Sequence, residues 1–600
     1  MWTRLNGLPE WWNAKLTAGG AQSWRAALLI VAACVAGCNK PAPAPLLLPP
    51  PLPETILRLR WAGMDRLAAD TNAASVLSVW NMPESKNLLG VTLDRLALGL
   101  LTTNDVMAIT NQLAYAAPAS PTNTPPPPVS NYQSRLTGLP AVLRPMLLDL
   151  IQQESYIELR QATNQPGDLA FAIRLNPARA RFWETNLSAV LESMTGGRAT
   201  ASPGRTNGWH VQFSDSGKQL TRHLSFALAG EWAVVGLGQQ TNAMASEMED
   251  LAQRTGMPFP RQPKEFFLYA EVDLPRVVSA LSLGWDSPAD LPRLALAVTG
   301  DGESVRTRCQ FDLTKPLPAD LGQWNIPTNL IHDPIVSFTA IRGIGPWLTS
   351  QKLWQDVFPG TPPSQLYFWA ENGLPFLSFA AARLPGASNQ VSQLAGRLMQ
   401  QANPWVATNS QGSFQLTTNG NGVAWKEMPL VEPFLEALPA AENDLVFGGL
   451  VRDISANRPP QALFHQITGP TNLVAYDWEL TGTRVAQWLY FGQFFRYFLL
   501  RAQLPPKSST VAWINALEYK LGNCGTSVTR TGPAQITLGR KSTMGLSAIE
   551  LHLLCDWLES PRFPCGLNTI YGRPALPPGH KQPSRHGSGA QTNSAPAVQH

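Results

Sequence analysis

The sequence predicts an α+β fold in which curved antiparallel sheets are built from hairpins and carry helices packed on one face. Three observations support this prediction. Apolar runs are paired across short glycine-containing turns, several strands lead directly into helices, and this strand-to-helix arrangement recurs as a diverged internal repeat. Hydrophobic residues are 44% of the chain, so a sizeable core can be buried.

The hairpins are recognised by their turns. The Gly-Asp-Gly segment at 300–302 separates apolar runs at 294–298 and 305–311, and an Asn-Gly pair at 372–373 separates two others. Asn-Gly and Asp-Gly between apolar runs are strong signals for a tight β-hairpin. Strands joined by such turns pair in the antiparallel sense, which is why antiparallel sheets are expected.

Four segments have the pattern of a strand that runs directly into a helix. In the first of them, 169–175, the strand is followed by Asn176, a helix-capping residue, and by Pro177, which suits the first helical turn. The other three strands are predicted at 266–272, 335–341 and 473–478. Their spacing is irregular, so the repeat is diverged and is not a solenoid of fixed period.

An export signal is predicted at the amino terminus. Residues 26–36 are an apolar run of eleven preceded by Arg25, which is too short for the roughly 20 residues of a membrane-spanning helix. This length fits the apolar region of a signal peptide. The small residues Ala36 and Gly37 then precede Cys38.

The motif Val35-Ala36-Gly37-Cys38 resembles the lipobox of bacterial lipoproteins. The resemblance implies that residues 1–37 are removed and that the Cys38 sulfur carries a diacylglyceryl group. Further acyl chains such as palmitate would make the anchor firm. The expected location is therefore a bacterial envelope membrane, the outer membrane facing the periplasm or the surface, with the membrane itself as a partner.

Composition divides the rest of the chain. Residues 38–53 contain the lipidated cysteine and a Pro-rich tether, and 54–115 are expected to be a small module or a docking arm. A Pro/Ser/Thr linker follows at 116–133. The α+β body is predicted at 134–570, divided into halves near 320–330, and the polar tail at 571–600 is predicted to be disordered.

The pattern of hairpins followed by helices behind a lipobox loosely resembles large exported bacterial proteins of unknown function, including the DUF3352 group. The resemblance extends over 134–570 and is one of pattern, without a fingerprint motif. It implies no activity and no catalytic residues.

The charge of the chain argues against nucleic-acid binding. The formal net charge is +4 over 600 residues, and no run of Lys or Arg is present. Binding to a phosphate backbone needs a concentrated basic face. Nucleic acid is therefore not an expected partner.

The cysteines leave two interpretations open. Cys524, Cys555 and Cys565 lie close in sequence, which predicts one disulfide among them after export. The alternative is that they remain buried thiols. No CxxC or His/Cys spacing indicates zinc, so no metal site is predicted.

The search for catalytic chemistry gives one weak candidate, His332 beside Asp333, because a carboxylate can orient an imidazole. Neighbouring residues usually point apart, however, and Asp-Pro at 333–334 is a common start of a turn. The sequence contains no HExxH, no P-loop and no complete dinucleotide fingerprint. No catalytic residue and no cofactor are predicted.

Three arginines, Arg179, Arg276 and Arg484, recur shortly after predicted strands. This recurrence indicates either a repeated ion pair at the end of the sheet or a set of contacts to a ligand. The sequence leaves both interpretations open.

The sequence thus predicts a non-catalytic, lipid-anchored envelope protein with a binding or scaffolding role. The expected partners besides the membrane are an envelope protein or an apolar ligand. Two alternatives stay open: a carrier that holds a lipid or another apolar ligand in a curved-sheet groove, and an envelope enzyme that acts on glycan.

Overall fold

The computed structural model describes twenty stretches of the chain. These are residues 54–98, 139–161, 167–195, 198–201, 208–215, 220–238, 243–259, 266–280, 291–317, 321–350, 362–373, 376–384, 386–409, 412–418, 420–428, 430–438, 445–452, 459–498, 508–560 and 563. The predicted signal peptide, Cys38, the tether, the linker at 116–133, Cys565 and the tail lie outside these residues.

The strands fall into two groups of ten. The first group contains β1 (Thr55–Trp61), β2 (Ser155–Arg160), β3 (Asp168–Arg174), β4 (Thr200–Ala201), β5 (Gly208–Asp215), β6 (Leu220–Ala229), β7 (Trp232–Gly238), β8 (Leu268–Asp273), β9 (Arg293–Gly300) and β10 (Val305–Asp312). The second contains β11 (Ile335–Arg342), β12 (Gln365–Glu371), β13 (Ser378–Arg383), β14 (Ser413–Leu416), β15 (Gly422–Lys426), β16 (Phe434–Ala437), β17 (Leu445–Gly449), β18 (Leu473–Leu480), β19 (Asn523–Gly532) and β20 (Gln535–Ser542).

Helices connect these strands. They are α1 (Met64–Ala68), α2 (Ala74–Trp80), α3 (83–98), α4 (Leu139–Gln152), α5 (Pro177–Thr195), α6 (Ala243–Thr255), α7 (Leu274–Ala280), α8 (Gly345–Ser350), α9 (Ala387–Arg397), α10 (Asn403–Asn409), α11 (Gln461–Thr468), α12 (Thr481–Phe498), α13 (Ser509–Leu517) and α14 (Ala548–Glu559). None of the helices in the described part has both the length and the apolar character needed to cross a membrane.

All twenty strands belong to one open sheet, and every pairing is antiparallel. The spatial order is β4-β5-β6-β7-β3-β2-β1-β8-β9-β10, followed across the middle by β20-β19-β18-β11-β12-β13-β17-β16-β15-β14. The two groups have the same internal order, with each strand of the first matched by the strand numbered ten higher. We call β1–β10 repeat 1 and β11–β20 repeat 2.

The two repeats meet around a pseudo-two-fold axis. At the seam between β10 and β20, Arg308 lies directly opposite Gly539. From Arg308, the residues directly opposite on successive strands of repeat 1 include Tyr269 on β8 and Tyr156 on β2. From Gly539, the same number of steps across repeat 2 reaches Tyr476 on β18 and Tyr367 on β12. This shared register identifies the strand-by-strand equivalence of the repeats.

The predicted α+β class and antiparallel pairing are confirmed, but the helices lie on both faces of a single sheet instead of on one. Helix α6 packs with Tyr156 on one face, which we call face A. Helices α4 and α5 pack with Ile173 on the opposite face, which we call face B. Ile173 and its neighbours alternate along β3, so one strand supplies apolar side chains to both layers.

The segment that starts at residue 54 is not a separate module, because β1 lies between β2 and β8 in the sheet. The long β1–β2 connection also reaches the other repeat. Trp513 of α13 donates its indole N–H to the Ser85 hydroxyl at 2.9 Å, and Arg95 donates to the backbone oxygens of Leu558 and Ser560 beside α14. Helix α3 therefore fastens repeat 1 to the helices of repeat 2.

Candidate functional site

Face B of repeat 1 has two rows of apolar side chains that cross six neighbouring strands in the order β3, β2, β1, β8, β9 and β10. We call them the apolar rows. The first consists of Leu169, Leu159, Leu57, Val272, Leu294 and Phe311, and the second of Phe171, Ile157, Leu59, Ala270, Leu296 and Cys309.

These rows are only partly covered. All their side chains are partly exposed except Leu159, Ala270 and Cys309, which are buried. Along β1 the pattern is inverted, since Arg58 and Arg60 are buried on face A while Leu57 and Leu59 are partly exposed on face B. A central strand with its arginines buried and its leucines partly exposed is unusual for a folded chain in water.

On the four strands β11, β18, β19 and β20, the equivalent face B positions of repeat 2 are occupied by Ser337, Glu479, Cys524 and Ser542 in the first row, and by Thr339, Asp477, Thr526 and Arg540 in the second. On β12 and β13 they remain mostly apolar, with Ala370 and Ser378 in the first row and Phe368 and Ala380 in the second. Helices α12 and α14 cover this region, and Ala548 at the start of α14 donates its N–H to Glu479 at 2.7 Å. Repeat 2 thus has a charged and covered surface where repeat 1 has an apolar and partly open one.

We call Asp477, Glu479, Arg484, Arg540 and Glu550 the buried charge cluster. Arg540 donates to both carboxylate oxygens of Glu550, at 2.5 and 2.9 Å, and Asp477 accepts the Thr339 hydroxyl at 2.6 Å. The strand members are 5–7% exposed. Asp477 and Glu479 are two residues apart on β18 and lie on the same face. Burying both carboxyls requires compensation by hydrogen bonds and opposite charges.

Burial raises the pKa of Asp477 to about 8, and the neighbouring Glu479 carboxylate adds to the shift. Burial likewise raises the pKa of Glu479, against the hydrogen bond from Ala548 and the charge of Arg484. Burial lowers the pKa of the Arg484 guanidinium. Carboxyls with raised pKa values occur in functional clefts as well as in structural networks.

Face A shows the reverse polarity. In repeat 1 a row of three charged residues, Glu271, Arg58 and Glu158, crosses β8, β1 and β2, and Arg58 donates to Glu271 at 3.4 Å. Burial works against the Glu158 charge, but hydrogen bonds from Arg160 and Tyr156 hold the pKa of Glu158 below its usual value. The row holds two negative charges and one positive charge, and Arg160 outside the row supplies the second positive charge by pairing with Glu158 at 2.8 Å.

In repeat 2 the equivalent row on face A is Trp478, Phe338 and Trp369. Phe338 is fully buried, and the Trp369 ring stacks on Phe379 with ring centroids 5.5 Å apart. Helix α11 closes this aromatic layer. At β1 and β8 and their equivalents β11 and β18, the repeats have therefore exchanged polarity between the two faces, and there face B of repeat 1 is apolar and partly open.

The three predicted arginines do not form one site. Arg179 on α5 forms an ion pair with Asp149 of α4 at 2.5 Å, and Arg276 donates to the backbone oxygen of Gln161 at 2.5 Å. Arg484 on α12 lies over the Trp488 ring and donates to Gln487 at 2.6 Å. Register places Arg276 and Arg484 at non-equivalent positions, so a repeated clamp is not formed.

The other sequence candidates also stay apart. His332 is partly buried and its Nδ1 atom has no hydrogen-bond partner, while Asp333 is exposed. Cys524 and Cys555 are separate buried thiols, so the predicted disulfide does not join these two, and a bridge with Cys565 remains a prediction. Within the residues described, no group of metal-ligating side chains converges.

A polar surface cleft of about 380 Å³ lies at one end of repeat 1. Its charged side chains neutralise one another: Arg174 forms an ion pair with Glu231 at 2.5 Å, and Glu154 receives Arg60 at 2.8 Å. The cleft has no side chain that points to a particular ligand.

Sequence reasoning singled out Arg484 but missed its carboxylate neighbours. A signal for them was present, because the second half of strand 473–480 alternates aromatic and acidic residues, with Asp477 and Glu479 two residues apart just before a helix. Alternation of this kind places both acids on one face. The partners Arg540 and Glu550 come from elements more than 50 residues away, which local patterns do not connect.

Comparison with known proteins gives no relative, since no protein-family model, no curated protein and no solved structure matches the chain.

Proposed function

We propose that the chain is a non-catalytic, lipid-anchored protein of a bacterial envelope that binds an apolar ligand on the apolar rows of repeat 1. The observation that supports this proposal is the asymmetry between equivalent surfaces. Face B is covered by helices α12 and α14 where it is charged, and it is partly open where it is apolar. An apolar surface left open in a folded protein is typical of a binding site.

The composition and the length of the rows favour an extended acyl chain as the ligand. Five spacings separate the six strands, which at about 4.8 Å each gives a track of roughly 24 Å. The side chains are mostly aliphatic, and no charged residue interrupts either row between β3 and β10. Protein interfaces are instead enriched in aromatic residues and Arg.

Replacing Leu57 by Ser and Leu59 by Thr is expected to weaken binding of a fluorescent long-chain fatty acid at least about tenfold, since it removes most of two buried aliphatic contacts. These are the side chains that repeat 2 has at the equivalent positions, Ser337 and Thr339, so the strand geometry tolerates them. The measurement is a fluorescence titration of the full chain carrying Cys38→Ala, which excludes interference from the anchor.

A matched control is Leu416→Ser on the edge strand β14, because this leucine is 54% exposed and lies far from the rows in strand order. Its affinity for the probe should equal that of the parent. Equal affinity of the Leu57/Leu59 variant and its parent, with both chains folded by circular dichroism, would count against the proposed binding face.

The anchor has its own test. Cells that express the native chain and are fed radioactive palmitate should label it, whereas Cys38→Ala should abolish labelling, because the sulfur of Cys38 is the proposed attachment point. Cys555→Ala serves as the control for loss of a buried thiol that lies outside the apolar rows. Equal labelling of the native and Cys38→Ala chains would rule out the anchor and leave the binding face untouched.

A further inference from the structure

The buried charge cluster contains one acid more than its bases can balance. Its carboxyls are Asp477 and Glu479 on β18 and Glu550 on α14, and its guanidinium groups are Arg484 on α12 and Arg540 on β20. Other titratable groups on the elements around the cluster include the Cys524 thiol on β19, which burial keeps protonated because its pKa is raised, and His552 on α14, whose Nε2 atom lies 3.0 Å from the backbone oxygen of Val485 on α12. The count is three acids against two bases.

We propose that Asp477 and Glu479 share one proton and that this proton holds helix α14 closed over face B of repeat 2. A buried excess charge is costly, so the cluster takes up a proton in preference to leaving one carboxylate uncompensated. The hydroxyl of Thr339 lies 2.6 Å from Asp477, where it can hydrogen-bond the carboxyl in either protonation state. The proton belongs to the pair of acids, as expected for coupled groups.

The cluster is connected directly to the start of α14. Glu479 accepts the N–H of Ala548, the first residue of the helix, and Glu550 accepts the N–H of Ser547 at 2.8 Å in a capping box. Arg540 holds Glu550 and also donates to the backbone oxygen of Gly545 at 2.6 Å. Once the proton is lost, repulsion between Asp477 and Glu479 acts on the same contacts that fix this end of the helix.

The direction of the pH dependence follows from the shifted acid. The closed cluster holds an extra proton between the ordinary pKa of an aspartate and about 8, whereas an opened, hydrated cluster does not. Opening of helix α14 is therefore favoured as the pH rises through this interval, and the opening constant levels off above about pH 8. The second apolar row continues onto repeat 2 as Leu538, which packs with Cys309, and Val528, which packs with Leu321 and Ile341, so the latch is independent of the binding face.

Hydrogen exchange of the full chain measures the latch. After correction for the intrinsic exchange rate, the opening constant of amides 548–551 should rise about 100-fold between pH 6 and pH 9. In Asp477→Asn the same amides should show no pH dependence of opening, because two acids then face two bases. Amides of α11, which packs on face A, should show none in either chain.

The control for removal of a negative charge is Asp94→Asn, since the Asp94 carboxylate is 58% exposed in a surface pair with Arg144. The Asp94→Asn chain should keep the parental pH dependence of the opening constant at amides 548–551. If Asp477→Asn does not fold, Glu479→Gln replaces it, because it too reduces the acids to two. A flat profile in the parent chain, or an unchanged slope in the folded variant, would overturn the proposal, whatever the result of the fatty-acid titration.

Discussion

Replacing Arg540 by Leu should lower the free energy of unfolding by about 3–5 kcal/mol, as found when one partner of a buried ion pair is removed. Arg540 is 5% exposed and donates two of the hydrogen bonds that Glu550 accepts, at 2.5 and 2.9 Å. Its loss leaves the Glu550 and Glu479 charges without their nearest compensation on β20. Urea unfolding of the full chain, followed by tryptophan fluorescence, measures the change.

Two further variants show whether the uncompensated charge is the cause. Adding Glu550→Gln to Arg540→Leu should restore most of the lost stability, because glutamine keeps an acceptor for the Ser547 N–H. Arg306→Leu removes an arginine that is 42% exposed and paired with Asp301, and should cost no more than about 1 kcal/mol. Equal losses in Arg306→Leu and Arg540→Leu would contradict the role given to the cluster.

Local patterns allowed the α+β class, most hairpins and the strand-to-helix units to be predicted. The hairpin of β9 and β10, for example, is encoded by apolar alternation around Gly300, Asp301 and Gly302, all within 20 residues. The helix that follows β3 begins where Asn176 and Pro177 predict it, and Asn176 accepts the N–H of Arg179 at 2.9 Å. These features depend on neighbours in sequence.

The strand order could not be predicted in the same way. Strand β1 pairs with β2 about a hundred residues later and with β8 more than two hundred residues later, and β10 meets β20 across more than two hundred. Pairing over such distances depends on which apolar faces match after collapse, and short turns do not encode it. A diverged internal repeat was predicted from the strand-to-helix segments, but the strand-by-strand equivalence of β1–β10 and β11–β20 depends on these distant pairings and could not be predicted.

The exchange of polarity between the faces also escaped prediction, for a physical reason. Alternation along a strand predicts that two faces differ but does not say which one lies under a helix. In β1 the hydrophobicity of Leu57 and Leu59 favours their burial over that of the arginines, whereas the structure buries Arg58 and Arg60. The arginines are buried because acids on neighbouring elements, Glu271 and Glu154, supply the opposite charge.

The exchange of polarity between the faces predicts a second large effect on stability, at Phe338. Phe338→Ala should lower the free energy of unfolding by about 3–5 kcal/mol, the usual cost of emptying a buried phenylalanine site. Phe338→Arg installs the residue that repeat 1 has at the equivalent position, Arg58, but the flanking residues are Trp478 and Trp369 instead of two glutamates. The buried guanidinium then has no opposite charge in its row, so the arginine variant should be less stable than the alanine variant.

Phe368 on the adjacent strand provides the matched control, because it is 39% exposed and lies on face B. Phe368→Arg should change the unfolding free energy by less than about 1 kcal/mol, since a surface arginine stays hydrated. Urea titrations of Phe338→Ala, Phe338→Arg and Phe368→Arg measure the three changes in unfolding free energy. An arginine at 338 that is tolerated as well as alanine would mean that the aromatic layer admits water or a counter-charge. The two faces of repeat 2 would then differ less in polarity than their side chains indicate.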